Sequence, residues 1–333
     1  VEQLRNNLMK VANEYYRPEI DRKVLKQLSQ RSDWQAGKHV ALFFSLLFLF
    51  GYLSFVSWGS WWFILFYFLY SVVYSSANPI WHECGHRTAF KTRRFNEIFY
   101  QIGSFMTDFE PTRWRWSHTV HHSHTSSSFD PHDYEVMHFH NKPTLLSFLI
   151  GFIPFMSIRN IHKSLQKETI LHAFGYTTPV MKDCIPETEI KKCRLISRIH
   201  VSIWFLTILI SIISQSFLPI LFILTPKYFG STLPMLFGTT QHMCLPSDIK
   251  DHRQTTRTVI LNPIFSFLYW HMEYHIEHHM FPMVPAYNLS KLHKVIKNQL
   301  PPAKKGLIDA YKEIIPTIIK QHKDPTYVLK VSI

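Results

Sequence analysis

The chain has 333 residues, with 36 Lys and Arg against 23 Asp and Glu, 21 His and a net charge of +13. That length suits one large domain, and the basic residues are spread over all the loops with no zinc-finger, RNP or basic-zipper pattern, which excludes a nucleic-acid-binding module. Four cysteines (Cys84, Cys184, Cys193, Cys244) without a CxxC pair exclude a disulfide framework and a thiolate zinc site.

The mean hydropathy of -0.05 averages two unlike kinds of segment. Residues 1–38 are polar and read as a cytoplasmic or interfacial segment, with no secretory-signal pattern. Between Lys38 and Glu83 there is no Asp, Glu, Lys or Arg. As one helix this stretch would be roughly 65 Å long, about twice a hydrocarbon core. Gly51 and the Ser57–Ser60 region allow a turn, so two spans are predicted. Thr144–Ser157 is apolar but short, which suits an interfacial or re-entrant helix. A second uncharged stretch runs from Ile199 to Pro226 and resumes after Lys227 as far as Ser247. It holds two more spans, turning near Gln215–Pro219 or near Pro226–Gly230. Lys227 then sits in the outer turn or lines the interior. Lys and Arg crowd the flanks (Arg5–Lys38, Arg87–Arg94, Arg159–Arg198 and the tail from Lys291), whereas the first turn carries none. By the positive-inside rule both termini and the large loops face the cytoplasm. The surplus positive charge suits anionic lipid and an acidic electron donor.

The histidines carry the chemistry. His82 and His86 stand at i and i+4 in WHECGH. His118, His121 and His122 stand at i, i+3 and i+4 in HTVHH, and His275, His278 and His279 repeat that spacing in HIEHH, with His271 one turn earlier. Such positions share one helix face, so each cluster is expected to aim its imidazoles at a single point. An all-imidazole set suits iron or zinc better than magnesium or calcium. Each cluster follows an even number of crossings, so all three emerge on one membrane face, and His242 near the end of the last span lies on that side. These nine candidates are enough for two metal ions. Lone histidines such as His162, His172, His200 and His322 read as ordinary packed or solvated residues. His124, His132, His138 and His140 fall between the two readings.

WHECGHRTAF, RWSHTVHHSHT and YHIEHHMFPMVPAYNL resemble the three histidine boxes of the membrane fatty acid desaturase superfamily, which also contains alkane hydroxylases and related oxygenases. The likeness covers roughly Val40–Leu289. It implies an all-α integral membrane protein: about four transmembrane helices and a cytoplasmic helical cap holding a di-iron site. On this reading residues 39–289 form the catalytic domain, and 290–333 a basic cytoplasmic tail. The implied iron ligands are His82, His86, His118, His121, His122, His275, His278 and His279, with His242 resembling an additional ligand between the second and third boxes. His271 stands where many relatives have Asn, and so is a possible tenth ligand or the holder of a metal-bound water. The assignment of each ligand to one iron stays open.

The same resemblance implies two non-haem Fe ions, O2 as co-substrate and electrons from a reduced carrier. HPGG, the haem motif of a fused cytochrome b5, is absent, so the expected donor is a separate cytochrome b5 or a ferredoxin with its reductase. The expected substrate is apolar, foremost an acyl chain as lipid or thioester. The setting is the endoplasmic reticulum of a eukaryote or a bacterial inner membrane. Desaturation and hydroxylation, the latter on an alkane, sterol, carotenoid or secondary metabolite, are not separated by the boxes, because substrate placement decides between them. Neutral imidazoles leave metal charge uncompensated, so Glu83, Asp130, Glu273 and Glu277 are candidate supporting carboxylates, with His124 beside them. Cys84 reads as a small packing residue, and Trp114, Arg115 and Trp116 read as an interface anchor. HECGH also fits the HExxH zinc site of an intramembrane protease, but that reading leaves HTVHH and HIEHH unexplained.

Overall fold

The computed structural model describes residues 15–136, 142–154 and 165–333. Among them the protein is helical without a strand; pairing is limited to two isolated bridges, Thr258 with Tyr274 and Val259 with Lys304. His138, His140 and His162, and the last residues of Thr144–Ser157, lie outside the described residues; the rest of that stretch holds the short helix Leu145–Ile150.

Three helices among the described residues are long and apolar enough to cross a membrane. The first, α1 (Asp33–Val56), starts at Ser32, whose hydroxyl accepts from Gln35 N at 3.3 Å. It ends in a turn where Gly59 takes φ 81, a conformation that costs glycine little. The second runs from Trp61 to His86 as α2 (Trp61–Ser75) and α3 (Asn78–His86), rejoined where Pro79 needs no N–H partner. This span therefore carries the first histidine pair at its end. Helices α4 (Arg93–Met106) and α5 (Pro111–Ser123) follow, α5 capped by Glu110, which accepts from Thr112 N and Arg113 N at 3.0 and 2.6 Å. The third long helix is α6 (Glu187–Ile213). Phe48, Trp61 and Ile213 on these helices are 71–87% exposed, the pattern of a lipid-facing surface.

The expected fourth span is not one continuous helix. The chain breaks at both of the anticipated places: α6 stops before Gln215 (φ 50), a π-helical turn covers Ile220–Leu224, Pro226–Phe229 forms a single turn, and α7 (Thr232–His242) completes the segment. Hydroxyls from α2 serve this irregular backbone. Tyr67, Tyr70 and Tyr74 donate to the carbonyls of Leu221, Phe222 and Ile223 at 2.7, 2.7 and 2.9 Å. Away from water such carbonyls need protein donors, and tyrosines at i, i+3 and i+7 supply a row of them along one helix face. Gly230 permits the approach: a Cβ there would lie 1.9 Å from Ser71 O. Lys227 points inward and pairs with buried Asp108, whose other oxygen accepts from Gln166 Nε2 at 2.8 Å.

Beyond α7, helices α8 (His275–Met280), α9 (Ala286–Ile296) and α10 (Leu307–Lys323) complete the fold. Trp81, Trp270, Ile276, Leu289, Leu292 and Ile296 are fully buried in a core joining the first histidine helix to α8 and α9.

Candidate metal centre

The nine candidate histidines converge, but not cluster by cluster. His82, His86, His118, His122 and His278 form one group and His121, His242, His275 and His279 a second, each with its nitrogens within 4.8 Å of one another. The expectation that each cluster aims at a single point is therefore corrected. At roughly 100° per residue, positions i and i+4 lie about 40° apart, whereas i+3 and i+4 are a full 100° apart. The i, i+4 pairs His82/His86, His118/His122 and His275/His279 each stay together. His121 and His278, the intervening residues, cross to the opposite group.

Hydrogen bonding at the outer nitrogens settles the tautomers. His118 Nδ1 meets Glu135 Oε2 at 2.7 Å, His121 Nδ1 meets Asp133 Oδ2 at 2.8 Å, and His242 Nδ1 meets Thr255 O at 2.9 Å. An ionised carboxylate or a carbonyl oxygen only accepts, so with Asp133 and Glu135 ionised these Nδ1 atoms carry the protons, and the neutral rings present Nε2 lone pairs. Thr125 Oγ1 donates to His121 O, so it accepts from His279 Nδ1 at 3.1 Å with the same result. These lone pairs face further imidazole nitrogens. His118 Nε2 is 3.0 Å from His86 Nε2 and 3.1 Å from His122 Nε2; His275 Nε2 is 3.0 Å from His242 Nε2 and 3.2 Å from His279 Nε2. Both ring nitrogens of His82 are buried without a hydrogen-bond partner. Imidazole nitrogens brought this close are held together by a shared proton, as where the Gln241 amide faces His275 Nδ1 at 3.1 Å and leaves the proton on Nε2, or by a cation; five and four such nitrogens within 4.8 Å of one another fit a divalent metal in each group. Burial above all, and then neighbouring imidazoles, holds His118, His122, His275, His278 and His279 well below the ordinary histidine range, in the neutral, ligating form.

Asp133 and Glu135, missed in the sequence, make the carboxylate contacts. Burial alone would raise Asp133, but His121 and the backbone amides of Ser126 and Glu135 hold it at about 2. Glu135 has weaker compensation, and burial pushes it up to about 8, a direction that bound metal charge would reverse. Asp130, the candidate chosen from the sequence, is instead exposed three residues too early. The run DPHDYE held three acids, and spacing alone did not rank them.

Glu83 is buried with Oε1 3.7 Å from His278 Nδ1, while Oε2 accepts from Ala286 N and Thr88 Oγ1 at 3.1 Å each. Glu277 turns away to Thr258 and His293. Glu273 accepts from Ser266 Oγ and lies 3.9 Å from His271. His271 joins neither group: its Nδ1 meets Ser266 Oγ at 2.9 Å. His124 Nδ1 meets Ser123 Oγ at 3.0 Å, also outside both groups. Cys84 is buried in the core. Trp114 is no interface anchor. Its half-buried ring lies 4.8 Å from Trp81 and 4.3 Å from Phe109, packed against the core, and Arg115 pairs with Glu97.

Trp81, Trp114, Met235, Gly238, Tyr269 and Met272 wall a cavity of about 280 Å³ that His82, His118, His121, His242 and His275 also line. Both imidazole groups thus open on one mainly apolar chamber. Such a chamber can hold a hydrocarbon segment against two metals and keep bulk water from it.

The fatty acid desaturase family model matches residues 59–311. The chain belongs to this family, a membrane family of oxidoreductases. A fatty acid desaturase of Bacillus subtilis (strain 168) is 39% identical over 51 residues, covering 15% of this chain and 14% of the relative. The Delta(5) fatty acid desaturase fat-4 of Caenorhabditis elegans is 22% identical over 254 residues, covering 69% of this chain and 56% of the relative. The chain thus spans little more than half the length of the longer-matching relative.

Proposed function

We propose that the protein is an O2-dependent di-iron desaturase of fatty acyl chains. The observation that carries this reading is the pair of imidazole groups, five and four strong, opening on one apolar chamber. Two irons held by His82, His86, His118, His122, His278 and by His121, His242, His275, His279 would supply the O2 activation and hydrogen-atom abstraction that acid–base side chains cannot. The balance is one O2, two electrons and two protons consumed, with a CH2–CH2 unit becoming CH=CH and two waters released. The electrons come from a reduced carrier, a cytochrome b5 or a ferredoxin with its reductase, meeting a basic cytoplasmic face. Asp133 and Glu135 hold the His121 and His118 rings in the ligating tautomer and offset metal charge. Trp81, Trp114 and Tyr269 confine the chain and exclude water.

Detergent-purified protein expressed with ample iron is expected to hold about two irons per chain, to lose iron on replacing His121, and to produce new double bonds in host lipids. New hydroxyl groups in place of double bonds would instead assign the hydroxylase chemistry. A single zinc, indifferent to His121 and lost on replacing His82, would defeat the proposal and revive the HExxH protease reading.

A further inference from the structure

A second cleft, of about 240 Å³, shares no lining residue with the imidazole chamber and is lined by Arg253, Arg257, Lys304 and Lys330 together with Glu313, Thr256 and Ser332. Arg257 is its buried floor, 5% exposed. Its Nε donates to Glu313 Oε1 at 2.7 Å, and its Nη1 to the carbonyls of Thr240 and Met243 at 3.2 and 2.6 Å. Its Nη2, also buried, has no hydrogen-bond partner. A buried guanidinium nitrogen with two idle N–H groups is costly unless something accepts from it.

Local charge does not balance either. Asp251 pairs with Arg253, while Glu313 serves both Arg257 and Lys304. No ion pair of Lys330 is recorded among the described residues. Four cations against two carboxylates leave an excess of two positive charges around one cavity.

We propose that this cleft binds a phosphomonoester-type anion. Two negative charges match the excess, and the idle N–H groups of Arg257 Nη2 are charge-assisted donors suited to phosphate oxygens. At about 30 Å³ per water, the cleft has room for roughly eight, more than a lone carboxylate fills. The thiol- and metal-binding alternatives fail because no cysteine and no imidazole lines it. The site is tied to the metal centre by covalent structure. The carbonyls that Arg257 holds belong to Thr240, in the last turn of α7, and to Met243 just beyond its end, on either side of His242, so an anion drawing on Arg257 bears on the placement of that residue. The phosphate can come from a lipid headgroup or from a soluble phosphate-bearing molecule.

The test is calorimetric titration of the full chain in detergent with inorganic phosphate, against chloride at matched ionic strength to separate binding from screening. A single saturable site is expected, weakened about tenfold or more in Lys330→Ala and in Lys304→Gln. Neither of these side chains bonds to α7, so metal content and thermal midpoint should stay at wild-type values. Competition by short-chain phosphatidic acid would assign the lipid source, and competition by adenosine monophosphate the soluble one. Absence of saturable binding overturns the proposal. Equal binding by the wild type and both variants would show an adventitious ion only, and overturns it too.

Discussion

Asp133→Asn isolates one imidazole group from the other. Asp133 Oδ2 accepts from His121 Nδ1 at 2.8 Å and from Ser126 N at 2.7 Å, and Oδ1 accepts from Glu135 N at 3.0 Å. An asparagine can keep only one of these oxygens as an acceptor. With its oxygen at the Oδ2 position it preserves two contacts and sets its NH2 against the Glu135 amide, donor to donor. The larger loss is the charge. Hydrogen bonds to charged groups contribute about 1.5–3 kcal/mol and neutral ones about 0.5–1.5, so the His121 contact weakens by about 1–1.5 kcal/mol. That is about five- to twelvefold in metal affinity, while the mispaired Glu135 amide costs folding stability with or without metal. The assay is iron per chain across a chelator series. The wild type should release its two irons at similar chelator concentrations. The variant should lose one early, from the His121–His242–His275–His279 group, and keep the other. Coincident release curves for the two proteins would refute the argument that Asp133 supports His121.

His278→Ala, like His121→Ala, should abolish turnover while leaving membrane insertion intact, as read by product analysis and by detergent extraction from the membrane fraction; full activity in either variant would remove the shared centre. Gly230→Ala should lower the thermal midpoint of the detergent-solubilised protein, because its Cβ would lie 1.9 Å from Ser71 O and must push α2 from the end of the Pro226–Phe229 turn, at a cost of about 1–3 kcal/mol or more. An unchanged midpoint would show that the two segments do not touch. Burial alone would raise the Glu313 carboxyl, but Arg257 and Lys304 hold it below its ordinary value. A carboxyl lowered on folding stabilises the fold above its unfolded pKa, and that contribution disappears as pH falls through the folded value. Glu313→Gln should therefore lose less stability than the wild type as pH falls below the ordinary carboxyl value of 4.5, and parallel melting curves would contradict this.

Local rules made much of the protein legible. Charge-free runs longer than a bilayer is thick announce spans wherever they fold, since the cost of burying charge in hydrocarbon does not depend on tertiary detail. Helical spacing marked the eight clustered imidazoles for the same reason, since i, i+3 and i+4 are neighbours on any helix, while His242 was marked by its place near the end of a span. The partition was half legible too. The 100° between adjacent residues already sends His121 away from His122, and His278 away from His279, although aiming each cluster at one point overlooked it.

Other features depend on what lies across the fold. That His121 meets His242, and that Asp133 rather than Asp130 reaches His121, requires α5, α7 and α8 to be packed together before any distance exists. The broken fourth segment is likewise invisible in hydropathy. Its π-turn persists because three tyrosines on α2, about 150 positions earlier in the chain, donate to its carbonyls. Trp114 reads as an interfacial residue by composition and becomes a chamber wall because Trp81 and Phe109 close on it. Composition and spacing specify which side chains share a face; which faces meet is decided by long-range packing, and the two imidazole groups exist only after those faces have met.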